Sequence, residues 1–247
     1  MWTEIKTAYR DSREVALRFP LLFALPATAE FAQHVAEYKT GMFASMAGMA
    51  AAADNGVRMG FGIVKVLSLF LLIYWVSRAL AVLRGGALRV PGDAHSARLF
   101  AWVLVWGFAT GLPQLFGGDL IAPFVTGRAA IFIGAAFFLV LLVCDTYLIV
   151  WKVGASLGNE RLSFIASFRI MHGNFWWSLL YFVVMFLPLM VVHYALNFLA
   201  IGRPPALMWA TLGVDALAVG YLGIVLTATS YVIAGRATAR KSEPLLP

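Results

Sequence analysis

The segment covering residues 19–38 constrains the fold most, because it is apolar enough to enter a membrane and yet contains ionisable side chains. Its polar residues recur at i, i+3, i+4 and i+7, which forms one stripe along a helix: Glu30, Gln33, His34 and Glu37. A charged side chain near the centre of a bilayer costs about 2.5 to 3.5 kcal/mol on insertion scales. The stripe must therefore face protein or water, and the other helices must pack around it.

The composition is that of a polytopic membrane protein. Hydrophobic residues make up 62% of the 247 residues, charged residues 13%, and the mean hydropathy is +0.83, whereas soluble domains carry about 25% charged residues. Six apolar runs are long enough, or nearly so, to cross about 30 Å of hydrocarbon as helices. They cover approximately residues 19–38, 61–83, 99–116, 129–151, 175–200 and 206–233. We predict an all-α fold in which one integral membrane domain, residues 1–247, is a bundle of six transmembrane helices.

Residues 1–18 carry apolar side chains on one helical face and charged side chains on the other. Trp2, Ile5 and Tyr9 recur at helical spacing, while Lys6 and Arg10 belong to the opposite face. This pattern predicts an amphipathic helix that lies in the membrane surface. The alternative is a soluble arm that docks onto a partner. The segment is too polar for a signal peptide, so we expect that none is removed.

The basic residues are distributed unequally between the two sides of the predicted bundle. With a cytoplasmic N-terminus, fourteen lie inside: Lys6, Arg10, Arg13, Arg18, Arg78, Arg84, Arg89, Arg98, Lys152, Arg161, Arg169, Arg236, Arg240 and Lys241. Four lie outside: Lys39, Arg58, Arg128 and Arg203. Short cytoplasmic loops carry an excess of Lys and Arg. We therefore expect both termini to face the cytoplasm, in a bacterial cytoplasmic (inner) membrane.

The net charge of +7 does not indicate a nucleic-acid partner. The cations lie at the ends of apolar runs, where they orient helices and meet anionic lipid. Membrane lipid is therefore the expected partner, and another membrane protein complex is a second possible partner. Cys144 is the only cysteine and lies inside an apolar run, so no disulfide can form within one chain.

Ionisable residues of three other predicted spans should share the outer half of the membrane with the stripe. They are Lys65, His193 and Asp215. We hypothesise that these three line one polar binding pocket together with the four stripe residues, open to the outer side. Such a pocket can hold a lipid headgroup, a small polar solute or a proton. The alternative is a set of separate, satisfied pairs with no cavity.

One further interaction is predicted nearer the inner ends of two spans. Arg78 and Asp145 each lie about six residues before the inner end of a span, so equal depth allows a structural ion pair. Otherwise Arg78 extends to the surface and Asp145 bonds to the backbone or near Thr146.

Two sets of metal ligands are conceivable. Glu30, His34 and Glu37 could bind a metal. However, di-iron bundles draw their ligands from several helices, and only His193 and Asp215 could complete the set.

Methionines after the first span form the second set. Met42, Met46 and Met49 share a helical face and, with His34, form a possible soft Cu(I) site. Packing against lipid or neighbouring helices is the alternative reading. We expect no other metal and no cofactor.

Catalytic signatures are missing from the sequence. It contains no phosphate-binding G-x-x-x-x-G-K-[ST], no zinc-binding H-E-x-x-H and no C-x-x-C. The first expectation is a non-catalytic accessory, assembly or lipid- and partner-binding subunit. The second is a small-molecule or ion transporter that uses the outer polar pocket, and the third is an enzyme acting on a membrane lipid.

Overall fold

The structure, a computed structural model, describes residues 1–121, 124, 125 and 127–247. Helix accounts for 81% of the chain and no strand occurs in the described ranges, so the all-α prediction is confirmed. In these ranges the helices are α1 (Trp2–Arg18), α2 (Pro20–Lys39), α3 (Met46–Ala52), α4 (Gly56–Leu83), α5 (Ala94–Ile121), α6 (Gly127–Tyr147), α7 (Ile149–Leu157), α8 (Phe164–Met171), α9 (Phe175–Ala200) and α10 (Pro205–Ala239).

The chain divides into two compact units. Unit 1 comprises Met1–Leu72 and Tyr181–Thr229, and unit 2 comprises Ile73–Leu180 and Ser230–Pro247. Helices α4, α9 and α10 therefore contribute residues to both units. The prediction of a single integral membrane domain stays a prediction.

Four described helices are long and apolar enough to cross a membrane: α4, α6, α9 and α10. The shortest has 21 residues, about 32 Å at 1.5 Å per residue, which matches the hydrocarbon thickness. Helices α1 and α2 have the length and apolar composition of a span only when they are taken together, and the chain bends by 92° between them at Phe19. The described residues thus provide four candidate spans, or five with the bent pair. The prediction of a membrane protein with transmembrane helices is confirmed, whereas the predicted number of six spans is not.

Helix bounds differ from the predicted spans at several places: α5 (Ala94–Ile121) extends beyond both ends of the predicted 99–116, and α10 (Pro205–Ala239) continues past the predicted end at 233. Helix α4 begins at Gly56, five residues before the predicted start at 61. Helix α6 ends at Tyr147, because the backbone at Leu148 (φ −89°, ψ 2°) leaves the helical region before α7 begins. Gly158 then ends α7 with φ 84°, a left-handed conformation that glycine adopts without a steric penalty.

Glycines on α10 allow close packing inside unit 1. A Cβ on Gly220 would lie 2.8 Å from the carbonyl oxygen of Phe23 on α2. A Cβ on Gly223 would lie 2.6 Å from the side chain of Leu72 on α4. Small residues let helix backbones approach one another in membranes. Helix α10 therefore contacts both α2 and α4, the two helices that carry most of the predicted polar pocket.

Candidate functional site

The polar stripe of α2 is buried inside unit 1. The exposed fractions are 1% for Glu30 and His34, 3% for Glu37 and 5% for Gln33. Pro20 begins this helix, where its missing N–H breaks no hydrogen bond, and Pro26 lies inside it. The stripe faces protein, as its cost in lipid requires.

His34 lies at the centre of the buried groups. Its Nδ1 is 2.9 Å from Oε2 of Glu37, one turn further along α2. Its Nε2 is 2.9 Å from Oδ2 of Asp215 on α10 and 3.6 Å from Oε1 of Glu30. One imidazole ring therefore contacts three carboxylates.

Two cations of α4 approach the carboxylates of α2. Lys65 Nζ lies 2.9 Å from Oε2 of Glu30. Arg58 donates from Nε to Oε1 of Glu37 at 3.0 Å and from Nη1 to the carbonyl of Ala53 at 2.7 Å. The sequence patterns placed Arg58 in an outer loop. Because α4 starts earlier than predicted, Arg58 lies in its first turn and reaches the site.

Asp215 is completely buried and accepts hydrogen bonds from two residues of α9. Its Oδ1 lies 2.8 Å from Nδ1 of His193, and its Oδ2 accepts from Nδ2 of Asn197 at 2.8 Å. Sequence reasoning missed Asn197, although its position four residues after His193 places both on one face of α9.

All seven residues of the predicted pocket thus meet in one cluster. With Arg58 and Asn197 they form what we call the unit 1 network: Glu30, Gln33, His34, Glu37, Arg58, Lys65, His193, Asn197 and Asp215. Gln33 donates to Oε1 of Glu37 at 2.8 Å. Its own Oε1 has no hydrogen-bond partner among the described residues.

The unit 1 network contains three donor atoms with the spacing of a cation site. One atom each of Glu30, His193 and Asp215 lies within 4.8 Å of the other two. Divalent transition metals accept this set of two carboxylates and one imidazole. However, the ammonium group of Lys65 already balances Glu30, and Asp215 accepts bonds at both oxygens. A metal ion would have to displace these partners.

A small cavity of about 250 Å³ borders the network in unit 1. It is lined by Tyr38, Gly41, Phe43, Ala44, Gly202, Arg203, Pro205 and Met208. The ring of Phe43, which is 3% exposed, also packs edge-on against His34 with 5.9 Å between ring centroids. Phe43 is therefore in contact with both the cavity and the centre of the network.

The predicted ion pair between Arg78 and Asp145 is not formed; each residue has other partners within unit 2. Arg78, 1% exposed, donates to the carbonyls of Arg89 at 2.6 Å and Ser156 at 2.9 Å, and to Asp93 at 3.0 Å. Equal depth did not bring the two residues together because depth does not specify which side of a helix each residue occupies.

Asp145 contacts two residues that the sequence analysis did not assign to it. Its Oδ1 lies 2.8 Å from Nζ of Lys152 and accepts from the indole N–H of Trp106 at 2.9 Å. Lys152 follows seven residues later, across the interruption at Leu148, and so lies two turns along the same face.

The copper hypothesis conflicts with the geometry of His34. Both of its ring nitrogens lie within hydrogen-bond distance of carboxylates, so neither directs a free lone pair at a methionine. Met46 and Met49 belong to α3, Met42 precedes it, and Met46 is 56% exposed. Flexible packing by these methionines agrees better with this arrangement.

A larger cavity of about 450 Å³ lies in unit 2. Its lining residues come from α5, α7, the following turn and α8: Leu99, Trp102, Val105, Trp106, Ala109, Trp151, Ala155, Asn159, Glu160, Leu162, Ser163 and Phe164. The rings of Trp106 and Trp151 pack edge-on against Phe164 at 5.6 and 5.3 Å. The hydrogen bond from Trp106 to Asp145 fixes one wall. Aromatic and aliphatic side chains thus surround a cavity whose polar groups come from the turn after α7.

Comparison with known proteins provides no relative: no family model, no curated protein and no solved structure matches the chain.

Proposed function

We propose that the chain is a non-catalytic integral membrane protein that binds membrane lipid, as an accessory or assembly subunit. The single observation that carries this proposal is the apolar cavity of about 450 Å³ in unit 2. Ligand pockets of proteins have volumes of roughly 300 to 1,000 Å³, with mostly apolar walls and a few polar groups. In a membrane protein, the apolar ligand present at the highest local concentration is a lipid acyl chain.

The occupant proposed for the unit 2 cavity is one acyl chain of a phospholipid. Leu99, Trp102 and Val105 provide an apolar wall along α5, and Trp102 is 67% exposed. Arg98 precedes Leu99 and Arg161 follows Glu160 in the chain, and both are exposed. Basic residues beside an apolar surface attract anionic headgroups. A phosphate near these arginines would leave the acyl chain to fill the cavity.

The proposal includes the topology expected from the sequence. It places six spans in a bacterial inner membrane, both termini in the cytoplasm, and α1 in the membrane surface. The support is the unequal distribution of Lys and Arg and the helical spacing of Trp2, Ile5 and Tyr9 on α1, where Trp2 is 67% exposed. Reporter fusions at Asn55 and Arg203 should give an extracytoplasmic signal, and cytoplasmic signals at both would refute this topology.

Native mass spectrometry of protein extracted in a mild detergent tests lipid binding. We expect one retained phospholipid per chain. Ala109→Trp fills the cavity and should remove that lipid, whereas Ala101→Trp, at another exposed alanine of α5 that does not line the cavity, should retain it. Added phospholipid at a hundred times its Kd should stabilise the wild type by about 2.7 kcal/mol. Equal lipid retention by both variants would contradict the proposal.

Transport of an ion or small solute is a second candidate function. The observation that favours it is the contact of Phe43 with both the 250 Å³ cavity and His34. Ionisable residues inside membrane spans commonly mark solute or proton pathways. Proteoliposomes loaded with a pH-sensitive dye test proton flux under a potassium diffusion potential. Flux that His34→Gln abolishes and Arg10→Gln preserves would support transport, and no flux above empty liposomes would exclude proton transport.

A further inference from the structure

We propose that unit 1 contains a proton-binding site at His34, and that the resting protein holds this residue as an imidazolium cation. The inference is carried by the position of the ring between Glu37 and Asp215. It does not rest on lipid binding in unit 2, because its experiment measures protonation directly.

The first argument is a count of hydrogen-bond donors. His34 Nδ1 and Nε2 each lie 2.9 Å from an oxygen of a carboxylate, Glu37 and Asp215 respectively. An ionised carboxylate can only accept, and a neutral imidazole has one N–H. Two such contacts require two protons on the ring, or one proton on a carboxyl group. The geometry therefore requires one proton more than a neutral histidine between two carboxylates provides.

The second argument is charge balance. Glu30, Glu37 and Asp215 contribute three negative charges, and Arg58 and Lys65 contribute two positive charges. With both histidines neutral, the network would contain one uncompensated negative charge on carboxylates that are at most 3% exposed. An unpaired charge in a buried site is strongly unfavourable. An imidazolium at His34 makes the network electrically neutral.

The remaining groups around His34 are consistent with this assignment. From α2 the ring faces Glu30 and Glu37, and from α10 it faces Asp215. The cations of α4 contact Glu30 and Glu37 rather than His34. On α9, His193 directs Nδ1 at Asp215 at 2.8 Å, which one N–H of a neutral ring satisfies. The extra proton therefore belongs to His34 and not to His193.

Nitrogen-15 NMR of the protein in lipid nanodiscs tests this assignment. The chain has four histidines, and the other two, His95 and His172, are exposed. In the double variant His95→Gln/His172→Gln, the only imidazole nitrogen signals are those of His34 and His193. We expect His34 to show both ring nitrogens protonated at neutral pH, and His193 to show a neutral ring protonated at Nδ1.

Asp215→Asn provides a matched variant. It removes one negative charge and allows an amide N–H to donate to Nε2, so we expect His34 to become neutral and to keep its proton on Nδ1, facing Glu37. A neutral His34 in the parent, together with an infrared band of a protonated carboxyl group that Glu37→Gln or Asp215→Asn removes, would overturn the proposal. If Asp215→Asn does not fold, the parent spectrum alone still decides the protonation state.

Discussion

Units 1 and 2 both bury charged side chains, but they neutralise them in different ways. In unit 1, three carboxylates meet Lys65, Arg58 and the imidazole of His34, so charge is matched by charge. In unit 2, Arg78 is equally buried, yet two of its three hydrogen bonds go to backbone carbonyls. Asp93, its ionic partner among the described residues, is half exposed. The two units show that burial alone does not indicate a functional charge cluster, because a buried guanidinium can simply hold backbone segments together. We call Arg78 with its partners Arg89, Ser156 and Asp93 the unit 2 clamp.

This comparison predicts the largest loss of stability for the charge-matched network. Asp215→Ala should lower the free energy of unfolding by about 3 to 5 kcal/mol, because it removes the buried carboxylate that stabilises the His34 imidazolium, which must then lose its proton or stay uncompensated. It also removes the acceptor of His193 and Asn197. Denaturant titration in detergent micelles measures the effect. The control is Asp54→Ala, at an exposed aspartate, which should change stability by no more than about 0.5 kcal/mol.

A loss below about 1 kcal/mol for Asp215→Ala would contradict the comparison. It would mean that the buried carboxylate is not coupled to its neighbours and that unit 1 resembles a set of independent pairs.

The clamp in unit 2 should respond with a smaller loss. Arg78→Met leaves the carbonyls of Arg89 and Ser156 without this donor, and each unsatisfied buried group costs about 1 to 3 kcal/mol. Water reaching the loop end at Arg89 reduces the sum, so we expect about 2 to 3 kcal/mol. The same denaturant titration applies, and Arg203→Met, at an exposed arginine, should be nearly neutral.

Double-mutant cycles sharpen this second prediction. Arg78→Met and Asp93→Asn should be non-additive because the two side chains are bonded. Arg78→Met and Asp145→Asn should be additive. If Arg78 were coupled to Asp145 and not to Asp93, the ion pair predicted from equal depth would be correct after all.

The sequence predicts the members of the unit 1 network better than it predicts the partners in unit 2. Spacing on α2 places Glu30, His34 and Glu37 on one face, and lipid excludes that face from the outside. Other ionisable residues at the same depth must also avoid lipid, and the polar face of α2 offers them partners. This reasoning predicts that Asp215 and Lys65 belong to the network.

Arg78 and Arg58 show why the rest of the site was not predicted. The main partners of Arg78 are backbone carbonyls, and any residue type provides a carbonyl, so no sequence pattern marks them. Arg58 enters the network because α4 starts at Gly56, and hydropathy sets helix ends poorly where an apolar run fades gradually into a loop. Hydropathy also does not reveal the bend of 92° at Phe19, on which the number of spans depends.

The smallest expected effect is a pH dependence at the edge of the unit 2 clamp. Asp93 accepts a hydrogen bond from the backbone N–H of Ser96 at 2.8 Å and pairs with Arg78, and these interactions hold the pKa of its carboxyl group below the ordinary value. A lowered folded-state pKa stabilises the protein above the unfolded pKa of about 3.9, and this stabilisation is lost as pH falls through the folded value. Because the side chain is 52% exposed, the contribution should stay below about 1 kcal/mol.

The free energy of unfolding, measured between about pH 6 and pH 3, should therefore decline less steeply for Asp93→Asn than for the wild type. An unchanged slope in the variant would show that Asp93 acts only as a neutral helix cap, and that Arg78 is held by carbonyls alone.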